Sequence, residues 1–190
     1  MSQETIPHPI DLTASTLVAV SRAALSSLRA SLIRDAGPAA AGYFQEAGYA
    51  GGAAVFDTFR LWLRERGHGE PDSLGVEEFA ARASEYFQDL GWGSLRLGAL
   101  RDAVATLDSS DWNEAEPGGG LDQPACHLST GMFADFFGRI ADTPLAVMEV
   151  ECRSAGDSRC RFLLGSAEVM ERLYEAMAEG KGYEAAVEAV

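Results

Sequence analysis

The stretch LAVMEVECRSAGDSRCRFLL, residues 145–164, decides how this chain is read. Its two halves are rich in Val, Met, Leu and Phe and flank Ala155-Gly156-Asp157. That pattern predicts two strands, Leu145 to Cys152 and Ser158 to Leu164, joined by a hairpin-type turn. Gly156 stands midway between Cys152 and Cys160, so in a regular antiparallel ladder the two thiols face each other on one side. Two thiolates so placed can share a cation. Zinc takes four nitrogen, sulfur or carboxylate ligands in a tetrahedron, and Cys126, at the start of the preceding helix, is an obvious third. Glu149, Glu151 and His127 are the candidates for the fourth. Strand alternation puts both glutamates on the face opposite Cys152 unless a bulge or a strong twist intervenes, so spacing leaves the choice open. The plain alternative is three buried cysteines acting as small hydrophobes.

Composition sets the frame for this hairpin. A chain of 190 residues, 47% hydrophobic and 23% charged, has the make-up of one folded domain able to bury about 70% of the surface its unfolded chain exposes. With 29 acidic against 15 basic side chains the net charge is −14, which repels phosphate backbones and anionic lipid. Neither nucleic acid nor membrane is an expected partner. No stretch approaches the apolar length of a membrane span, and the opening MSQETIPHPID lacks a secretory pattern, so the expected location is the cytoplasm. Three cysteines confined to the C-terminal third suit metal or reactivity better than a disulfide framework.

Outward from the hairpin, helical periodicity dominates the first half. Residues 1–12, with Pro7 and Pro9, read as a flexible arm before a single domain over 13–190. A first helix capped near Asp11 or Thr13 would bury Leu17, Val20, Ala24, Leu25, Leu28 and Leu32, and it stops at Gly37. Pro38 opens a second helix running to about Arg66. Its glycines Gly42, Gly48, Gly51 and Gly52 each cost about 1 kcal/mol relative to alanine, which implies close backbone packing there, or else a break near Gly48. A third helix fits Val76 to Leu90 and ends at Gly91 and Gly93. Beyond it, alternation at Leu95 and Leu97, and at Ala103, Ala105 and Leu107, predicts two strands around a turn at Ala99 to Asp102. Glu116 to Asp122 is the strongest loop signal; a helix from Ala125 to Ala141 follows, and two helical stretches, Ala167 to Glu179 and Tyr183 to Ala189, close the chain. The class is α+β.

The residues Asp111-Trp112-Asn113-Glu114-Ala115, Pro124-Ala125-Cys126, Gly131 to Gly138, Glu149-x-x-Cys152-Arg153 and Gly156-Asp157-x-x-Cys160 resemble the pattern of the 4-vinyl reductase domain family. The resemblance spans residues 95–166 and is similar to the sensor domains of phenol- and xylene-responsive activators. It implies a structural zinc held by Cys126, Glu149, Cys152 and Cys160. It also implies a twisted antiparallel sheet packed with helices, related to the TRAPP-subunit and nitric-oxide-sensor ligand-binding fold, and a homodimer.

Trp112, Phe133, Phe137, Trp92 and His127 are the candidate lining of an apolar ligand pocket, with Trp112 the first choice because its indole can donate a hydrogen bond. Plain core packing is the competing account of the aromatics. The phenol sensors orient the hydroxyl with a histidine and a tryptophan; here the histidines are His8, His68 and His127, with none in the corresponding middle region, which argues against phenol itself. The leading expectation is a stand-alone domain that binds or senses a hydrophobic or aromatic small molecule without catalysis. The alternatives are a reductase or accessory protein of tetrapyrrole (bacteriochlorophyll) biosynthesis, for which no Gly-x-Gly-x-x-Gly fingerprint follows a strand, and a dimeric scaffold.

Overall fold

The computed structural model describes residue 10 and residues 15–189. Apart from Ile10, which packs against the main core, the expected arm over 1–12 and the cap near Asp11 or Thr13 lie outside the described residues. Helix α1 runs Arg22–Ala36 and starts later than expected, at Ser21, whose hydroxyl accepts the Ala24 N–H. Helix α2 spans Ala39–Glu65 without a break, and α3 spans Val76–Asp89 after a short 3-10 turn at Pro71–Ser73. Strands β1 (Arg96–Arg101) and β2 (Val104–Ser109) form the first hairpin, with its turn at 102–103, slightly later than the alternation suggests. Helix α4 (His127–Ala141) precedes β3 (Ala146–Glu151) and β4 (Cys160–Gly165), and α5 (Ala167–Ala178) and α6 (Tyr183–Glu188) follow.

The sheet is antiparallel throughout, in the order β1-β2-β4-β3. Its inner face carries Leu97, Leu107, Phe162 and Leu164 against Phe59, Phe79, Phe87, Phe133 and Phe136 of α2, α3 and α4. A second, smaller core lies on the other face, where Val104 and Leu163 meet Met170, Leu173, Ala186 and Val187 of α5 and α6. The sheet is thus sandwiched between helices.

The face expected to be buried on the first helix is a correction. Val20 and Leu28 are exposed, Leu17, Leu25 and Leu32 are only half-buried, and the buried residue of α1 is Arg29. The helix is turned by the guanidinium, which donates to the backbone oxygen of Glu114 at 2.8 Å and lies 3.5 Å from its carboxylate. In α2 the expectation of close packing holds, and its partner lies within the chain. A Cβ on Gly48 would collide with the Leu128 carbonyl, one on Gly131 with the Gln45 carbonyl, and one on Gly52 would sit 2.6 Å from Asp135 Cβ. Gly42 and Gly51 face open space.

Candidate metal centre and ligand cleft

The β3–β4 hairpin brings the cysteines together as the spacing suggests. Glu151 pairs with Arg161, and continuing that register places Cys152 opposite Cys160. The glutamate ambiguity is resolved by a β-bulge: Glu149 pairs with Phe162 while Glu151 pairs with Arg161, so two residues of β3 advance against one of β4. The extra residue moves Glu149 to the inner face shared by Phe162 and Cys160. Glu151 stays outside, bound by Arg159 at 2.7 and 2.9 Å and accepting the Tyr183 hydroxyl.

Cys126 caps α4 and completes the group. Its sulfur lies 3.8 Å from that of Cys152 and 3.9 Å from that of Cys160, and one ligand atom from each of Cys126, Glu149, Cys152 and Cys160 falls within 4.8 Å of every other. All four residues are buried. A tetrahedral ion with metal–sulfur bonds of about 2.3 Å holds its sulfurs about 3.8 Å apart, so the thiols already have that edge length. One oxygen of Glu149 accepts the Cys126 N–H at 2.8 Å, whereas the other, Oε1, is buried with no hydrogen-bond partner. An orphaned buried carboxylate oxygen is costly unless something cationic meets it.

Crowding shows in the acidities. Burial, reinforced by the charge of Cys152, pushes the Glu149 carboxyl up to about 8. Hydrogen bonds from the Cys126 and Cys160 thiols hold Cys152 far below the usual thiol range, with the Ala125 and Ser154 N–H groups adding to the effect. The same contacts push Cys126 well up. Only a cation lets all four groups ionise together, and the buried three-cysteine, one-glutamate group is able to hold a metal ion.

A buried polar network that the sequence reading missed sets the start of α4. Glu114 is fully buried and accepts the N–H groups of Leu128 and Ser129 at 3.0 and 2.8 Å, together with the Ser129 hydroxyl. Burial raises its carboxyl above the ordinary value, against the capping bonds and Arg29. Ser154, buried in the hairpin turn, accepts the Glu116 N–H at 2.8 Å and ties the long loop to the hairpin. The Asp157 carboxylate receives the Cys152 N–H at 2.7 Å, and Gly156 takes the left-handed turn at φ 100°. A polar Glu114 amid Trp112, Ala115 and the following cysteine segment was the visible signal of this network.

The candidate pocket residues are dispersed. Trp112 is fully buried, its indole donates to Ser129 Oγ at 2.7 Å, and its ring packs on Phe87, Trp92, Phe133 and Phe162. Phe133 is likewise core, and Trp92 is half-buried over Trp112. The indole donor inferred for Trp112 exists, directed at a protein hydroxyl. His127 is half-buried, with burial and then Arg29 lowering its pKa, and lines a groove along β3 with Glu149, Met148 and Met170. Phe137 alone of the five borders an apolar cleft of ≈ 610 Å³ between α3, the end of α4 and the inner face of the sheet, where Phe79, Leu97, Leu107, Ile140 and Leu164 form the walls.

Helices on both sides of a four-stranded antiparallel sheet, with a buried three-cysteine, one-glutamate group where hairpin meets helix, define a mixed α and β domain with a metal-capable core. Residues 111–166 match the family model of the 4-vinyl reductase domain, so this segment of the chain is a 4-vinyl reductase domain. Three solved structures share the fold. The phenol-responsive sensory domain of the transcription activator PoxR, with phenol, has a TM-score of 0.60 at 15% identity over 80% of this chain and 77% of that one. A vinyl-4-reductase family protein from Methanocaldococcus jannaschii gives 0.50 at 13% over 78% and 83%. A trafficking protein particle complex subunit 3 from Naegleria fowleri, covalently bound to palmitic acid, gives 0.52 at 12% over 76% and 91%. No curated protein matches. Among the described residues no helix is long and apolar enough to cross a membrane.

Proposed function

We propose that this chain binds or senses a hydrophobic small molecule, with a structural zinc ion holding the hairpin beside its core. The observation that carries the reading is the apolar cleft of ≈ 610 Å³ on the inner face of the sheet, a volume within the range of about 300–1,000 Å³ usual for ligand sites. The 4-vinyl reductase domain match and the likeness to a phenol-responsive sensory domain support it. Zinc is favoured because three thiolates and a carboxylate suit a borderline-soft ion and the sulfur separations suit a tetrahedron. All four positions come from protein, which fits a structural ion better than one keeping an open site for water. Reduced thiols as ligands favour the cytoplasm as the protein's location.

Ala105→Phe, at an exposed position of β2 lining the cleft, plugs it without altering the core. Mass spectrometry of an organic extract from natively purified protein should find a hydrophobic compound with the wild type and not with the variant. A wild type that retains no compound, and that no saturating lipophilic screen stabilises against heat, would overturn the reading.

Homodimerisation is a further element of the proposal. Leu28 and Ile33 of α1, Val18 and Val20 just before it, and Tyr43 and Tyr49 of α2 are large apolar side chains left exposed.

A further inference from the structure

The chemistry of the cleft wall restricts its ligand. We propose that the cleft selects an uncharged ligand larger than a single aromatic ring and holds it without a covalent bond; this rests on the cleft being the ligand site. Among the described residues lining it there is no Lys, Arg or His, and its ionisable members are Asp72 and Asp102, both exposed. A carboxylate, sulfonate or phosphate entering this space gives up hydration and meets no cation, while the two aspartates repel it. Size points the same way. A dry cavity of about 150 Å³ is enough for benzene, whereas this cleft measures ≈ 610 Å³, so one ring leaves most of the apolar wall uncovered. The bond type follows from the cysteine inventory. All three cysteines of the chain sit in the Cys126, Cys152 and Cys160 cluster, so the cleft has no thiol to be acylated. The ligand is held by apolar contact alone and exchanges freely.

Two fluorescent probes with the same rings test this: neutral N-phenylnaphthylamine and its sulfonate, anilinonaphthalenesulfonate. Titrated into the full chain, the neutral probe should bind at least about tenfold more tightly, since burying an unpaired anion costs more than the 1.4 kcal/mol of one decade. Phenol should displace it only at concentrations at least about a hundredfold higher, given the smaller area it buries. Ala105→Phe, checked by circular dichroism for an unchanged fold, should abolish binding of the neutral probe. Equal affinity for the two probes, or displacement by phenol as effective as by the unlabelled neutral probe, with all binding lost in Ala105→Phe, would leave the site standing and overturn the ligand class. Failure of the neutral probe to bind, or binding indifferent to Ala105→Phe, would overturn the site itself, and the inference with it.

Discussion

Glu149 and Glu151 stand two residues apart and would share a face in a regular strand, yet one meets thiols and the other guanidinium groups. The bulge between them separates their chemistry: Glu149 has a buried oxygen with no partner, and Glu151 is held below the usual carboxylate range by Arg159. Cys152→Ser and Cys160→Ser should each strip zinc and lower the melting temperature, by about 2–4 °C per kcal/mol lost in a chain of this size. Glu149→Gln should weaken the site less, because an amide oxygen still coordinates. Glu151→Gln should retain about one zinc per chain by elemental analysis; loss of metal from it and not from Glu149→Gln would reverse the ligand assignment. Glu151→Gln carries its own pH signature. A carboxyl with a lowered folded pKa stabilises above its unfolded pKa, and that stability is lost as pH falls through the folded value. The stability gap between wild type and Glu151→Gln should therefore shrink toward acid, as chemical denaturation at several pH values would show.

At the scale of elements, what can be read from a sequence depends on whether the determinant is local. Gly37 and Pro38 mark the boundary between α1 and α2, and Gly91 with φ 82° ends α3, because backbone freedom is a property of the residue itself. The buried face of α1 is not legible in this way: its leucines surround the helix, and the inward side is chosen by the Arg29–Glu114 pair, 85 residues apart in the chain. The bulge in β3 leaves no trace in composition, so only the resemblance points to Glu149. The aromatic residues are visible in the sequence, but whether Trp112 lines a cavity or fills the core depends on Ser129 and Phe162 across the fold. The α2 glycines are legible as close packing, and the α2–α4 crossing makes them unequal. Gly48→Ala and Gly131→Ala each drive a methyl into backbone, which cannot swing aside, and should destabilise by about 3 kcal/mol or more. Gly42→Ala meets open space and should stabilise by up to about 1 kcal/mol through helix propensity. Urea denaturation of the three variants checks this; a tolerated Gly48→Ala would mean that the helices do not approach so closely.

For the whole molecule, two features oppose each other. The chain carries a net charge of −14, which favours keeping copies apart, yet α1, the segment before it and α2 leave Leu28, Ile33, Val18, Val20, Tyr43 and Tyr49 exposed. Two of the α2 glycines that suggest a dimer from sequence are used inside the chain, so the case rests on these apolar side chains. Burying such a surface between two copies is favourable at any ionic strength, whereas repulsion between like-charged protomers is screened by salt. The expected dimer should therefore tighten as salt rises from about 0.01 to about 0.15 M, over which the screening length falls from about 30 to about 8 Å. Sedimentation velocity across micromolar concentrations measures this directly. Leu28→Glu and Ile33→Glu should shift the population to monomer while leaving zinc content and far-ultraviolet circular dichroism unchanged, since neither side chain belongs to the metal cluster or to either core. A wild type that stays monomeric at both salt concentrations would assign the exposed leucine and isoleucine to some other partner; a dimer that weakens with salt would show that ion pairs across the interface, rather than apolar contact, hold the copies together.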